Sequence, residues 1–403
     1  MNLFQNKTIV LGVTGSIAAY KAATLASRLH QLGAHVHVAM TDAATHFITP
    51  LTFESLTHRR VLRDVLALGA DSEIEHVSFA KRADMVLIAP ATANTIAKLA
   101  HGFANDVISA ICLDTRAPIL LAPAMETGMW ENAATQDNLE RLKQRGMFLV
   151  EPNAGHLASG ASGKGRMAEP QEILDAARHV FARNGSLAGK RVVITAGGTR
   201  EAIDPVRVIS NHSSGKMGYA LAEEALSRGA NVSLITSVGE LPNPYGAEIT
   251  RVASTQDLYD AVLREMRGAD VLIMAAAPAD FRPASMADRK IKKEEMAEWN
   301  IELIRNPDIL GEVASVRAND PANAPRVVVG FAAETNDLIQ HARGKLERKN
   351  LDMLVANPVP QTFGSNNVKA TLLFKNRDEM DLQPMTKENL AEVIFAQVEK
   401  LLK

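Results

Sequence analysis

The sequence predicts an α/β protein of two Rossmann-like domains, each with an open and mostly parallel sheet. Its 403 residues are about two to three times the usual length of one domain. Short β-branched runs alternate with amphipathic helical patterns, which is typical of parallel βαβ units. A polar, Gly-containing stretch without periodicity (182–191) separates two such series. We therefore place the domains at residues 1–185 and 186–403.

The first half opens with a strand (8–13), a tight loop, an amphipathic helix (17–33) and a second strand (35–40). Further apolar runs predict strands at 84–90, 118–124 and 147–152, and a helix around 170–182. Small or polar residues follow these strands, so we expect functional loops at the carboxyl edge of the sheet.

The second half repeats this plan, beginning with the strand and Gly-rich turn of RVVITAGGT (191–199). Further strands are predicted at 231–237, 269–277, 326–334, 351–357 and 370–376. This half is therefore predicted to be another open α/β sheet.

Composition argues against several classes of function. Lys and Arg number 44 against 46 Asp and Glu, so no overall charge favours nucleic acid or a membrane surface. The N-terminus lacks a secretion signal and no apolar run reaches membrane-spanning length. The single cysteine, Cys112, lies in the apolar run VISAICL and is interpreted as a buried residue, not a redox group. We expect a cytoplasmic protein.

Two loops in the first half could bind a phosphate-bearing cofactor. Gly12 to Ser16 lies between a strand and a helix, where backbone N–H groups bind anions, although a tight turn needs glycine anyway. Residues 89–109 concentrate hydroxyl, amide and charged side chains that suit a ribityl phosphate and the polar edge of a ring. Helix caps would use the same residue types.

Residues 5–180 resemble the flavin-dependent cysteine decarboxylases, which include phosphopantothenoylcysteine decarboxylase. The resemblance is carried by GVTGSIAAYK (12–21), APATANTIAK with the following ND (89–106), EIEHVSFAKRAD (73–84) and PAMETGMW (123–130). It implies a flavodoxin-like domain in which FMN oxidises the thiol-bearing carbon and His76 acts as a base. The matching FMN-binding residues are Gly15, Ser16, Thr41, Thr92, Asn94, Lys98 and Asn105.

Two residues depart from that family's pattern. Glu126 occupies the place of an asparagine that holds the substrate carboxylate, so an ionised Glu126 would repel it. A neutral Glu126 in an apolar environment could donate a hydrogen bond instead. Ser159 replaces a cysteine in the flap GHLASGASGKGRM (155–167), and a hydroxyl is a far weaker acid than a thiol. The flap's composition fits a mobile lid or a disordered surface loop.

The second half carries a phosphate-binding pattern. In SNHSSGKMG (210–218), a predicted helix begins just after Ser213, Ser214, Gly215 and Lys216. Serines before a helix N-terminus and a following lysine suit a phosphate, although serine N-capping would explain the serines alone. The string resembles the signature of phosphopantothenate–cysteine ligases. That resemblance makes Asn211 the candidate for holding the reaction intermediate, whereas by itself Asn211 could be a turn residue.

The same resemblance implies a nucleotide site. MAAAPADFRPA (274–284) ends a strand at Asp280, and a lysine-rich loop (290–293) follows that would otherwise be a solvated surface. Lys345 and Lys349 are spaced i, i+4, so both ammonium groups could reach one anion. The implied nucleotide-binding residues are Met274, Ala275, Ala276, Asp280, Lys290, Pro307, Asp308, Ile309, Leu310, Phe331, Lys345 and Lys349.

The implied reaction has two steps. The carboxylate of 4'-phosphopantothenate attacks the α-phosphate of CTP, giving an acyl-cytidylate and pyrophosphate, with Mg2+ bridging the phosphates. The amine of cysteine then displaces CMP. Lys290 serves the first step and Asn211 the second.

Two alternatives stay open. The protein could be a ligase whose FMN domain is slow or only a scaffold, because Glu126 and Ser159 replace the usual residues. It could also be a flavin-binding regulatory protein. In each case the expected partners include small molecules and no nucleic acid or membrane. The resemblance further implies a homo-oligomer of flavin-domain trimers and ligase-domain dimers.

Overall fold

The computed structural model describes residues 2–67, 74–292, 298–334, 338–358 and 367–403. The chain divides into two compact units, Asn2–Phe181 and Ala182–Lys403. Each unit has its own sheet with apolar side chains buried on both faces, so each has its own core.

The first unit alternates strands and helices. Its strands are β1 (Thr8–Val13), β2 (His35–Met40), β3 (Met85–Ala91), β4 (Ile119–Pro123), β5 (Phe148–Leu149), β6 (Asn153–His156) and β7 (Ser162–Arg166). Its helices are α1 (Ala19–Gln31), α2 (Asp42–Thr45), α3 (Pro50–Thr57), α4 (Glu75–Arg82), α5 (Ala93–His101), α6 (Val107–Asp114), α7 (Thr127–Trp130), α8 (Ala133–Gln144) and α9 (Pro170–Ala182).

The sheet of the first unit is parallel in the order β2-β1-β3-β4-β5. This order defines a flavodoxin-like fold and confirms the prediction. Alternate side chains of β1 enter opposite layers: Leu11 packs in the cluster that contains α1 and α9, and Val10 in the cluster that contains α5 and α6. The strand order reverses between β1 and β3, so a crevice opens there at the carboxyl edge.

The flap is a β-hairpin formed by β6 and β7, not a disordered loop. It packs on the turn before α7, where the Met125 backbone N–H donates to the carbonyl oxygen of Gly165 at 3.0 Å. A Cβ at residue 165 would lie 2.1 Å from the Met125 carbonyl oxygen, so only glycine allows this approach. The Gly/Ser composition that suggested disorder thus permits close packing of backbone on backbone.

The second unit contains the longer series of strands. These are β8 (Arg191–Ala196), β9 (Arg200–Ala202), β10 (Val208–Ser210), β11 (Asn231–Thr236), β12 (Glu248–Arg251), β13 (Val271–Met274), β14 (Phe281–Pro283), β15 (Leu303–Arg305), β16 (Val327–Glu334), β17 (Met353–Pro358), β18 (Asn367–Val368), β19 (Thr371–Phe374), β20 (Met380–Asp381) and β21 (Met385–Thr386). Its helices are α10 (Lys216–Ser227), α11 (Thr255–Glu265), α12 (Ile309–Asn319), α13 (Leu338–Arg348) and α14 (Lys387–Leu402).

The main sheet of the second unit has the order β12-β11-β8-β13-β16-β17-β19-β20 in the described residues. It is parallel from β12 to β17, and β19 and β20 add antiparallel edge strands, which confirms a Rossmann-like, mostly parallel sheet. The edge strand β12 was not predicted because its residues are partly exposed and form no apolar run. The strand order reverses between β8 and β13, which opens the second crevice.

Cys112 is buried in α6 and 6% exposed, which confirms the prediction of a small buried residue. Burial, and then the nearby Asp106 carboxylate, raise the pKa of its thiol to about 12.

In the part of the chain that the structure describes, none of the helices combines the length and the apolar character needed to cross a membrane.

Candidate functional site

A cavity of about 590 Å³ lies at the crevice between β1 and β3 of the first unit. Loops that follow β1, β2 and β3 line it, together with the turn after β4. All seven residues predicted to bind FMN are among its lining residues: Gly15, Ser16, Thr41, Thr92, Asn94, Lys98 and Asn105. The fold thus brings to one cavity residues that are up to 90 positions apart in sequence, from Gly15 to Asn105.

The loops of this cavity are held by hydrogen bonds and by one close approach. Thr14 Oγ1 donates to the carbonyl oxygen of Pro90 at 2.7 Å, which joins the loops after β1 and β3. A Cβ on Gly15 would lie 2.5 Å from Ala43 Cβ, so glycine is required by packing. Thr92 caps α5, which confirms the capping interpretation for this residue of the 89–109 loop, and Thr41 caps α2. Both residues also line the cavity.

Lys98 and Asp106, which both line the cavity, form an ion pair of 2.7 Å. Burial acts to raise the pKa of Asp106, but hydrogen bonds from Lys98 and Ser109 outweigh it and hold that pKa below its usual value. Met125 and Met129 contribute an apolar part to the wall of the same cavity. Hydroxyl, amide and ammonium groups beside an apolar wall fit a ring that carries a phosphate-ended chain.

The two residues that depart from the decarboxylase pattern contact each other. Ser159 Oγ donates a hydrogen bond of 3.0 Å to Glu126 Oε2, across the flap and the N-terminal end of α7. Glu126 is exposed, so the chain does not provide the apolar environment on which a neutral Glu126 depends.

His76 lies on α4, with its Nδ1 2.9 Å from the carbonyl oxygen of Val65. It does not line the cavity described above. Within one chain, therefore, Ser159 contacts Glu126, but His76 is not among the residues that line the predicted cofactor cavity.

The second unit has two cavities at its own crevice, of about 570 and 410 Å³, which share the residues from Asn211 to Ser214. The larger is lined by Gly198, Arg200, Ser210, Asn211, His212, Ser213, Ser214, Ser237 and Val238. The smaller includes the start of α10, the loop after β13, and residues Phe331, Ala333, Lys345, Val355, Asn357, Val368, Lys387 and Leu390. The loop after β8 and the loop after β13 thus meet at the switch point.

The N-terminus of α10 is not capped by a side chain. Its N-cap is Gly215, at φ 72°, in the left-handed region that favours glycine. Serine N-capping is therefore wrong as the explanation of Ser213 and Ser214, both of which line the cavities instead. The first N–H groups of α10 face this region without a capping oxygen, which suits an anion.

Asn211 joins the two loops of the crevice. Its Nδ2 donates to the carbonyl oxygens of Pro278, at 2.9 Å, and Ala277, at 3.3 Å. It also lines both cavities, so its side chain lies where the two cavities meet.

The predicted nucleotide-binding residues separate into two groups. Ala275, Ala276, Asp280, Phe331 and Lys345 line the smaller cavity. The remaining predicted residues do not line it: Met274, Lys290, Pro307, Asp308, Ile309, Leu310 and Lys349. Met274 and Ile309 are buried in the core.

The lysine pair has two different partners. Lys345 Nζ donates to the carbonyl oxygen of Phe331 at 2.8 Å, whereas Lys349, just beyond the end of α13, pairs with Asp308. Asp308 also caps α12. Burial acts to raise the pKa of Asp308, but the hydrogen bond from Lys349 lowers it. The nearby charge of Lys345 also lowers the pKa of Asp308.

Lys290 lies exposed on a loop that is anchored at its base. The Ile291 N–H donates to Asp204 Oδ2 at 3.3 Å, and Arg207 Nη1 donates to the Ile291 carbonyl oxygen at 3.2 Å. Lys293, the last residue of the lysine-rich loop, lies outside the described residues.

Sequence reasoning missed one lysine of the smaller cavity. Lys387 is the first residue of α14, is only 9% exposed and lines that cavity. A lysine after a capping threonine is ordinarily a solvated residue. The only signal against that interpretation is a cation at a helix N-terminus, which the helix dipole disfavours.

Among the described residues, no group of three or more His, Cys, Asp or Glu side chains could hold a metal ion. Ligands for Mg2+ are therefore not identified among the side chains of the described residues.

Fold and cavities together define a class of protein: two open α/β units in sequence, each with a polar cavity at its topological switch point. Comparison with known families agrees with this division. The family "Flavoprotein" matches residues 2–182, and the family "DNA/pantothenate metabolism flavoprotein C-terminal domain" matches residues 187–402.

Curated relatives match over essentially the whole chain. The coenzyme A biosynthesis bifunctional protein CoaBC of Vibrio vulnificus (strain CMCP6) is 44% identical over 406 residues, covering 100% of both chains. The protein of the same name from Bacillus subtilis (strain 168) is 42% identical, covering 100% of this chain and 98% of the relative. That from Mycobacterium bovis is 44% identical, covering 96% of this chain and 95% of the relative.

The chain belongs to the family of bifunctional coenzyme A biosynthesis proteins, in which a flavoprotein decarboxylase domain precedes a ligase domain. This confirms the family predicted from both halves of the sequence. Membership of this family does not favour the alternative that the protein is a flavin-binding regulatory protein.

Proposed function

We propose that residues 186–403 join cysteine to 4'-phosphopantothenate at the expense of CTP, in the presence of Mg2+. The carboxylate attacks the α-phosphate of CTP, pyrophosphate leaves, and the amine of cysteine then displaces CMP from the acyl-cytidylate. Asn211 lies where the two cavities meet, which suits a residue that holds the acyl group. Lys290, on its anchored loop, would offset charge as the α-phosphate is attacked.

The proposal further assigns decarboxylation of the ligation product, giving 4'-phosphopantetheine, to residues 1–185. The seven predicted FMN-binding residues, all of which line the first cavity, would hold FMN. The flavin would take two electrons from the thiol-bearing carbon, so that the adjacent carboxylate leaves as CO2, and would return them to the resulting enethiol to give 4'-phosphopantetheine. His76 would act as the base, and Ser159 on the flap would deliver or relay a proton. Glu126 would stand beside the substrate carboxylate.

One observation carries the ligase proposal. The uncapped N-terminus of α10 and the lysines Lys216, Lys345 and Lys387 border one cavity, so its binding groups are those of a phosphate site. A reaction whose two large substrates both carry phosphate needs such a site.

The assembly and location form part of the same proposal. We expect a cytoplasmic homo-oligomer of flavin-domain trimers and ligase-domain dimers. His76 does not line the cofactor cavity of its own chain, which fits a decarboxylase site completed between subunits.

A specific observation keeps the ligase-only alternative in view. Glu126 is exposed and accepts a hydrogen bond from Ser159, so a carboxyl group stands where the resemblance places an amide. This alternative predicts bound flavin and pyrophosphate release without CO2.

The test supplies the purified protein with 4'-phosphopantothenate, cysteine, CTP and Mg2+, and measures pyrophosphate, CO2 and 4'-phosphopantetheine separately. We expect all three products. Pyrophosphate without CO2 would establish the ligase-only alternative, and absence of pyrophosphate would refute the ligase. The Lys290→Gln variant should stall pyrophosphate release, and replacing CTP by ATP tests the choice of nucleotide.

A further inference from the structure

Lys387 occupies a position that is unfavourable for a lysine in three ways. It is 9% exposed, and burial of an ammonium group is costly. It is the first residue of α14, where the positive end of the helix dipole disfavours a cation. Finally, Lys216 is close enough to repel it. Burial, followed by this repulsion, lowers the pKa of Lys387, while Glu388 acts in the opposite direction.

Capping does not explain this lysine. The N-terminus of α14 is already capped by Thr386, whose hydroxyl accepts a hydrogen bond from the Asn389 N–H at 3.2 Å. Locally unfavourable choices of this kind are characteristic of functional positions.

The surroundings of Lys387 indicate what its charge could bind. It lines the smaller cavity with Lys216 and Lys345, and the only carboxylate among the described lining residues is that of Asp280. Lys216 is likewise the first residue of its helix, α10, whose N-terminus lacks a side-chain cap. Two lysines at two positive helix ends therefore border one cavity, and a bound polyanion would offset their repulsion.

We propose that Lys387 is a phosphate-binding residue of the ligase site, acting with Lys216 and the N-terminus of α10. This inference rests on the proposed ligase function, because it assumes that a phosphate-bearing substrate enters the cavity. The bound group is a phosphoryl group, either of 4'-phosphopantothenate or of the nucleotide.

The test compares three variants of the full-length protein. Lys387→Met keeps an unbranched side chain and removes the charge, and Lys387→Arg keeps the charge. Lys400→Gln removes an exposed lysine from the same helix, so it is the matched control. Initial rates of pyrophosphate release are measured while CTP, 4'-phosphopantothenate and cysteine are varied in turn.

Lys387→Met should raise the KM of one phosphate-bearing substrate by at least about tenfold, the loss expected for a charge-assisted hydrogen bond. The KM of cysteine should stay within about twofold, Lys387→Arg should recover most of the loss, and Lys400→Gln should match the unsubstituted protein. The substrate whose KM rises identifies which phosphate Lys387 binds. Unchanged KM values for both phosphate substrates, or an equal rise in all three, would overturn the proposal.

A second measurement needs no turnover. Inorganic pyrophosphate should raise the Tm of the unsubstituted protein, and this increase should be lost in Lys387→Met. A fall in the Tm of ligand-free Lys387→Met together with an unchanged pyrophosphate effect would show a purely structural role. If the unsubstituted protein releases no pyrophosphate with CTP, the proposed function fails, while this titration still decides the role of Lys387.

Discussion

Glu126 and Ser159 are two departures from the decarboxylase pattern that contact each other in the structure. Each departs from the family's pattern, and their side chains form a hydrogen bond of 3.0 Å with one another. Both motifs were visible in the sequence, but their 33-residue separation gave no sign of contact. The hydrogen bond joins the flap to the N-terminal end of α7, so both departures from the pattern lie at one place in the structure.

We expect Glu126→Gln to lower the KM for phosphopantothenoylcysteine in CO2 release by about tenfold, because it removes a like charge at the protein surface. The amide oxygen of glutamine can still accept from Ser159, so the flap contact is retained. Ser159→Ala is the control: it removes the hydrogen bond, keeps the charge, and should not lower this KM. An unchanged KM in Glu126→Gln would mean that the carboxylate does not face the substrate.

His37 on β2 gives the first domain a pH-dependent stability. Burial first, and then Arg59 and Arg82, lower the pKa of His37 from 6.5 to about 4. The ring also lies edge-on to Phe79, with ring centroids 4.8 Å apart. Because the folded pKa is the lower one, the unfolded chain binds more protons between pH 6.5 and 4, and stability falls as the pH falls through this range.

His37→Gln should therefore lose less stability than the unsubstituted protein between pH 7 and about pH 4.5. The measurement is Tm at both pH values, where each kcal/mol corresponds to roughly 2–4 °C for a domain of this size. His46→Gln, on an exposed residue of the same unit, is the control and should behave like the unsubstituted protein. Equal losses in His37→Gln and the unsubstituted protein would contradict the assignment.

At the scale of elements, the flap hairpin depends on its glycines. Gly165 has φ 153°, and its Cα hydrogen takes the place of a Cβ that would overlap the Met125 carbonyl oxygen. Gly/Ser-rich composition predicts freedom of the chain, but composition cannot indicate which backbone the glycines approach. The strands of the two sheets were predicted more accurately than the flap hairpin, because a buried run of β-branched residues is a local signal in the sequence.

Gly165→Ala should displace the hairpin and reduce CO2 release by at least about tenfold, because its flap residue Ser159 would lose its position. Pyrophosphate release should be unchanged, and cleavage between residues 155 and 167 by a protease should become faster. Gly160→Ala separates two effects, since Gly160 also has a positive φ, of 88°, but a Cβ there has nothing within 4 Å. If both variants behaved alike, backbone conformation and not the close approach would be responsible.

At the scale of the whole molecule, each unit has its own sheet, core and switch-point cavity. Catalytic steps assigned to separate cores can be lost separately, which is why the ligase and the decarboxylase need separate assays. Independent cores also imply that a ligand of one unit stabilises that unit alone.

Thermal unfolding of the whole protein should show two transitions. CTP with Mg2+ at 100 times its Kd should stabilise only the second unit, by about 2.7 kcal/mol, and FMN should shift only the other transition. Gly218→Ala identifies the transition of the second unit, because a Cβ there would lie 2.5 Å from Ala196 Cβ where α10 packs on β8. A single transition that moves with both ligands would show that the two cores unfold together.

The sequence by itself determined the alternation of strands and helices, the two-sheet architecture and the loops that carry the chemistry. These follow from periodicity and from short motifs, which are properties of neighbouring residues. Only the tertiary structure decided which distant side chains meet: Ser159 with Glu126, Lys349 with Asp308, and Lys387 with the cavity beside α10. The reason is that such contacts depend on how strands and helices pack, and many different local sequences can supply the same packing.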